Sequence, residues 1–91
     1  MKKTDILKEA EDIVNNRSEE KERMYGPFTE GMKRAAMIAS GMTGKDLTAQ
    51  DMYKILIALK FSRESYNHKK DNLLDAVAYI AALDNHILNE E

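Results

Sequence analysis

The chain has 91 residues, 43% hydrophobic and 33% charged, with a net charge of −2 and no cysteine. This is one small domain near the size at which a single core only just suffices, and a disulfide scaffold or cysteine metal site is excluded. No apolar run approaches the ~20 residues that cross a bilayer. Acids and bases are interleaved, unlike the concentrated basic face of a nucleic-acid binder. A small anionic ligand held by a few placed cations stays compatible with that balance.

The opening residues MKKTDILKEAEDIV carry lysines and acids with no apolar centre, so they do not read as a signal peptide. A cytoplasmic protein is the expectation. Thr4 is placed to cap a first helix over about 4–15, with Asp5 near its positive end. Ile6, Ala10, Ile13 and Val14 form its apolar stripe. The segment from Glu19 to Met24 is dense in charge and fits either a polar helical turn or a linker. Tyr25-Gly26-Pro27-Phe28 is the strongest punctuation, and the single proline suits the first turn of a helix.

From about Phe28 a second helix follows, with Met32, Ala35, Ala36 and Ala39 on its face and an end near Gly41 or Gly44. Gly41-Met42-Thr43-Gly44-Lys45-Asp46 has neither the glycine spacing nor the Ser or Thr after lysine that a phosphate loop requires. Thr48-Ala49-Gln50-Asp51 reads as a capped start for a third helix. Met52, Ile55, Leu56 and Leu59 continue its stripe to about Tyr66. The short break at Asn67-His68-Lys69-Lys70 forces the last helix, about 71–88, to return antiparallel. That helix is expected to pack through Leu74, Val77, Ala81 and Leu88, with His86 at the surface or an oligomer interface. The fold class is all-α: four main helices, a C-terminal hairpin and a core over about 28–88. Alanine-rich faces and six methionines suit completion of the bundle by a homo-oligomer.

The hairpin carries an unusual charged seam. Lys60 and Arg63 lie one turn apart on one helix, while Asp71, Asp75 and Tyr79 are spaced four by four on the next. One reading is structural, an ion-pair network that fixes register without adding much stability. The other is a site for an anionic ligand. Arg63 offers bidentate phosphate geometry, Lys60 a point charge and Tyr79 a stacking face. Asp71 and Asp75 would accept from a base or ribose, or hold Mg2+. His68 at the hairpin tip is a loop residue or a ligand contact. Tyr25 is a staple onto its helix or a lid over a base. Neither His68 nor His86 has a second His or Cys at metal spacing, so zinc is not expected.

Tyr25-Gly26, Leu47-Thr48 with Asp51, Leu59-Lys60 with Arg63, then His68, Asp71, Asp75 and Tyr79 resemble, in order, a family of short phage and prophage proteins known only as a domain of unknown function. The match spans about residues 17–83. Members of that family often have an arginine four residues before the Tyr-Gly, where this chain has Lys21 between Arg17 and Arg23. The family is in turn distantly similar to the all-α MazG-type nucleotide pyrophosphohydrolases. Asp71 to Tyr79 resembles their last acidic motif, whereas their EExxE group on the preceding helix is replaced here by Lys60 and Arg63, with Glu64 nearby. The resemblance implies a MazG-like bundle and nucleotide-binding geometry more than hydrolysis.

The expectation is therefore a binder that captures a phosphorylated or cyclic nucleotide through Tyr25, Gly26, Lys60, Arg63, His68, Asp71, Asp75 and Tyr79. In a phage setting it would sequester a host immune signal. No cofactor, no nucleic-acid polymer and no membrane partner is expected. The alternatives are a divergent MazG-like, Mg2+-dependent hydrolase using Asp71 and Asp75, and a structural or protein-interaction module. The number of convergent carboxylates separates binder from hydrolase.

Overall fold

Four helices are delimited among the described residues: α1 (Ile6–Asn15), α2 (Phe28–Thr43), α3 (Ala49–Tyr66) and α4 (Lys70–Glu90). The computed structural model describes residues 2–16, 21, 23, 24 and 26–90, and no strand occurs among them. No helix is long and apolar enough to cross a membrane among the described residues.

Local chemistry explains each boundary. Asp5 occupies the N-cap of α1 without a side-chain cap bond, while Thr4 Oγ1 accepts from the Ile6 N–H at 3.1 Å. Thr4 thus serves the orphan donor from one residue before its expected position. Pro27 occupies the N-cap of α2, not its first turn, with φ −59° and ψ 140°. Gly44 ends α2 in the left-handed region, φ 71°, its N–H donating to the Ser40 carbonyl, a conformation glycine adopts without a Cβ penalty. Thr48 and Asp51 form the expected capping box: the Thr48 N–H donates to Asp51 Oδ2 at 2.8 Å and the Asp51 N–H to Thr48 Oγ1 at 3.2 Å. Of the charge-dense segment, Lys21, Arg23 and Met24 are helical.

The α3–α4 hairpin is the frame. Its antiparallel register is fixed by three contacts: Glu64 with Asn72, Lys60 with Asp75 and Tyr53 with His86. Helix α1 lies on α4, tied by Lys70 Nζ to Glu9 Oε1 at 2.8 Å. The Glu9 carboxylate raises the Lys70 pKa above its ordinary value. Helix α2 packs on α3, where Ser40 Oγ accepts from the Leu47 N–H and donates to the Leu47 carbonyl, folding the connecting loop back along α2.

The buried set is Ala10, Ala36, Met52, Tyr53, Ala76 and Ala78, joined by Asn72 and His86. Three expectations fail here. His86 is not at the surface: it is 6% exposed, its ring 5.5 Å from that of Tyr53. Ile55 and Leu59 do not pack inward but stand 52% and 43% exposed. Leu88 is likewise exposed. The physical reason is that α3 turns Tyr53, Lys60 and Glu64 toward α4, which leaves Ile55 and Leu59 on the opposite flank.

Replacing Thr48 by alanine removes one half of the capping box and is expected to cost about 1 kcal/mol, read as a lowered Tm with unchanged helical circular dichroism. The Thr48 backbone and hydroxyl hold Asp51 below its ordinary carboxylate pKa. A depressed folded-state pKa stabilises above the unfolded value and is lost as pH falls through the folded one. Asp51→Asn is therefore expected to flatten the acid side of the stability profile, measured by urea titration at successive pH values.

Candidate functional site

An open cleft of about 610 Å3 lies where α1 and α4 meet the start of α2. Its size falls within the ordinary range for small-molecule sites. One wall is aliphatic, from Ile13 and Val14 of α1 and Ala78 and Ala82 of α4. The other is aromatic. Phe28 and Tyr79 stack with centroids 6.1 Å apart and planes at 14°, and Phe28 meets Tyr53 edge-on at 5.6 Å. Among the described residues the polar groups on the lining are Asn16, Lys21, Thr29, Asp75 and Asn85. Tyr53, 1% exposed, also borders the cleft, with its hydroxyl 3.4 Å from Thr29 Oγ1.

The charged seam reaches this cleft through one pair. Lys60 Nζ lies 2.9 Å from Asp75 Oδ2, with the lysine side chain 15% exposed and the aspartate 36%. Asp75 and Tyr79, one turn apart on α4, both line the cleft. Arg63 does not. Three positions on from Lys60, it falls roughly 60° around α3, and it is exposed. Of the two cations expected in the seam, Lys60 is thus the one that pairs with Asp75. Asp71 is exposed at the start of α4, outside the cleft lining.

His68 is exposed and held by the hairpin itself, its Nδ1 hydrogen-bonding to the Glu64 carboxylate. Glu64 also accepts from the Lys69 N–H at 3.2 Å and from the Asn72 side-chain amide at 3.3 Å. That amide donates to the Asn67 carbonyl as well. The His68 hydrogen bond, then those from Lys69 and Asn72, hold Glu64 below its ordinary carboxylate pKa. Glu64 and Asn72 therefore build the turn that sets the seam's register. Gly26 is half-buried with φ 75°, and a Cβ there would stand 3.7 Å from the Arg34 guanidinium. Its freedom lets the chain enter α2 with Phe28 turned to the cleft. Tyr25 and Arg17 lie outside the described residues. Of the cations near the Tyr-Gly pair, Lys21 borders the cleft, whereas Arg23 is exposed and is not among its lining residues.

Of the residues singled out in the sequence, Asp75 and Tyr79 line the cleft and Lys60 pairs with Asp75, whereas Tyr53, Thr29, Asn16 and Asn85 line it without having been singled out. Tyr53 carried a usable signal, since it stands seven residues before Lys60 on the same face of α3. The amides and Thr29 carried none, because only the meeting of three helices brings them together.

The donor set was tested against a Mg2+ centre of the hydrolytic type. Asp75 is engaged by Lys60 and Asp71 is exposed away from the cleft. Among the described residues, no group of three or more His, Asp or Glu converges to hold a metal ion. These residues do not fit the centre.

Two substitutions check the geometry. Lys60→Met strands Asp75 beside the cleft and is expected to cost on the order of 1 kcal/mol, whereas Arg63→Met is expected to be close to neutral in the Tm of the dilute protein. Glu64→Gln removes an acceptor with a depressed pKa, so the stability difference from wild type is expected above the ordinary glutamate pKa and to vanish as pH falls through the folded-state value.

A model of the family described as Domain of unknown function (DUF6378) matches residues 5–87, a span that includes α1, the cleft and the hairpin. No curated protein and no solved structure matches the chain. The chain belongs to the DUF6378 family of domains of unknown function.

Proposed function

We propose that this protein captures a phosphorylated nucleotide in the α1–α2–α4 cleft without turning it over. The observation that carries the reading is the convergence of an aromatic face and a few polar groups on one cleft: Tyr79 stacked with Phe28, beside Asp75, with Lys21 on the lining. Stacking on aromatics accepts any base, since every base has a π face. Asp75 and the amides of Asn16 and Asn85 supply acceptors and donors for a base edge or ribose. Lys21 supplies positive charge at the cleft, and Lys60, paired with Asp75, offsets the negative charge that an anionic ligand would otherwise meet there. Arg63 and His68 have no part in this version of the site, because neither lines the cleft.

Binding is favoured over hydrolysis by the donor set. A MazG-type reaction needs several carboxylates around a metal to activate water, and here, among the described residues, the acid that lines the cleft, Asp75, already faces an ammonium group. If the phage and MazG-like resemblances hold, the ligand class is a linear or cyclic nucleotide. Its capture in the cytoplasm of an infected host would then deplete an immune signal.

The test is a thermal-shift series with linear and cyclic nucleotides, with and without Mg2+. At a ligand concentration of ~100 Kd, native-state binding adds about 2.7 kcal/mol of stability. The expected result is a Tm rise that needs no metal, with the nucleotide recovered intact. Tyr79→Ala is expected to weaken that ligand by about 1–3 kcal/mol and Lys21→Ala to weaken it less. No shift with any nucleotide would leave the seam as structural glue and end this reading. A metal-dependent shift with cleaved product would favour the hydrolase instead.

A further inference from the structure

The third helix presents a second organised surface on the flank away from α4. Asp51, Ile55, Leu59 and Arg63 follow one another at intervals of four, so they form a single i±4n ridge. The row beside it has Ala58 and Ser62, both exposed, at its centre, and two small side chains leave a shallow groove. Ile55 and Leu59 are 52% and 43% exposed within the protomer. The helices that pack on α3 do not cover this flank.

We propose that the occupant of this ridge is a second copy of the chain, related by a two-fold axis near the middle of α3. Three observations support a copy, and the first of them favours it over another partner. Ridges of the i±4n type pack into each other's grooves in the commonest class of helix crossing. A two-fold axis lays the two ridges side by side in opposite directions, so each Ile55 rests against Leu59 of the second copy. The same operation brings Arg63 to Asp51 of the second copy, an apolar centre closed at both ends by opposite charges. Self-complementarity of this kind is what an isologous interface requires.

The second observation is Arg63 itself. Among the described residues it forms no ion pair, which it shares with Lys8 and Lys69, but it differs from them in standing at the end of this ridge, opposite in sign to Asp51 at the other end. The third is area. The accessible surface of 7096 Å2 exceeds by about 1,700 Å2 the value for a folded monomer of 10.4 kDa. The radius of gyration of 14.4 Å likewise exceeds the roughly 12 Å of a compact domain of this length. An excess of that size on each copy is more than the roughly 800 Å2 that each partner of a standard specific interface buries. The cleft lies on the other side of the hairpin register and shares no residue with this ridge, so dimerisation and ligand capture stand or fall separately.

Sedimentation velocity of the full chain at micromolar to submillimolar concentration tests the proposal without any ligand. The wild type is expected as a dimer. Leu59→Glu, which places a charge at the centre of the ridge, is expected to raise the dissociation constant by about thirtyfold or more with helical content unchanged. Leu7→Glu, at an α1 position 71% exposed, is expected to leave the dimer intact. Because the chain has no cysteine, Ala58→Cys gives an independent readout that does not rely on a disruptive charge. Mild oxidation is expected to link two copies, and the same treatment of Glu11→Cys is expected not to. A monomeric wild type at all concentrations overturns the proposal. So does a dimer that survives Leu59→Glu, or an Ala58→Cys chain that links no faster than Glu11→Cys.

Discussion

The hairpin register between α3 and α4 is the constraint on which the rest depends. It is set by contacts of three different kinds along one seam: aromatic at Tyr53–His86, ionic at Lys60–Asp75 and amide-carboxylate at Glu64–Asn72. A slip of one residue would break all three together, because each has a partner at only one position. The seam need not be strongly stabilising for this. Partly buried ion pairs lose to desolvation much of what they gain by attraction. What they supply is a penalty for every other register, since an unpaired Lys60 at 15% exposure would have no compensating charge.

The cleft follows from that register. Asp75 and Tyr79 share one face of α4 with Asn72 and His86, and the contacts of Lys60 and Tyr53 with that face set where it meets the cleft. The Gly26-Pro27-Phe28 segment then delivers Phe28 onto Tyr79. Gly26 in the left-handed region and Pro27 at the N-cap determine where α2 begins, and thus which residue meets the tyrosine. Aromatic rings thereby run in a chain from His86 through Tyr53 and Phe28 to Tyr79. The seam and the cleft wall are one packed array, so a substitution in one is felt in the other.

Much of this was legible in the sequence, and the failures have a common cause. Helix number, the capping box and the glycine stop at Gly44 are local features, read from spacing and turn chemistry. The antiparallel hairpin follows from a loop too short for anything else. Rotation of each helix about its axis is not local. Lys60 and Arg63 are both cations one turn apart, and nothing in their types says which faces the acid. Tyr53 decides it from seven residues away by filling the space before His86. The same rotation explains why Ile55 and Leu59, apolar at helical spacing, are turned outward. It also explains why His86, polar and isolated in the sequence, is turned in. Periodicity identifies a stripe, but a helix with an apolar face, a charged seam and two packing partners has more than one stripe to choose from.

The composition of the core gives these surfaces their weight. Four of the six buried hydrophobic residues are alanines, and Tyr53 is the one large side chain among the described residues that is almost wholly enclosed. Alanines let helices approach closely, yet each removes little apolar area from water, at roughly 25 cal/mol per Å2. Larger apolar side chains such as Leu7, Met37, Met42 and Ile55 stand outside. A chain built this way has little margin of its own at a size where cores are barely sufficient. Anything that binds only the folded state contributes to its stability by mass action. Under the two proposals, occupation of the cleft and coverage of the α3 ridge would each be linked to folding in this way while using different residues. The half-open cleft keeps its geometry because the hairpin seam, and not a large enclosed core, fixes how α3 and α4 meet.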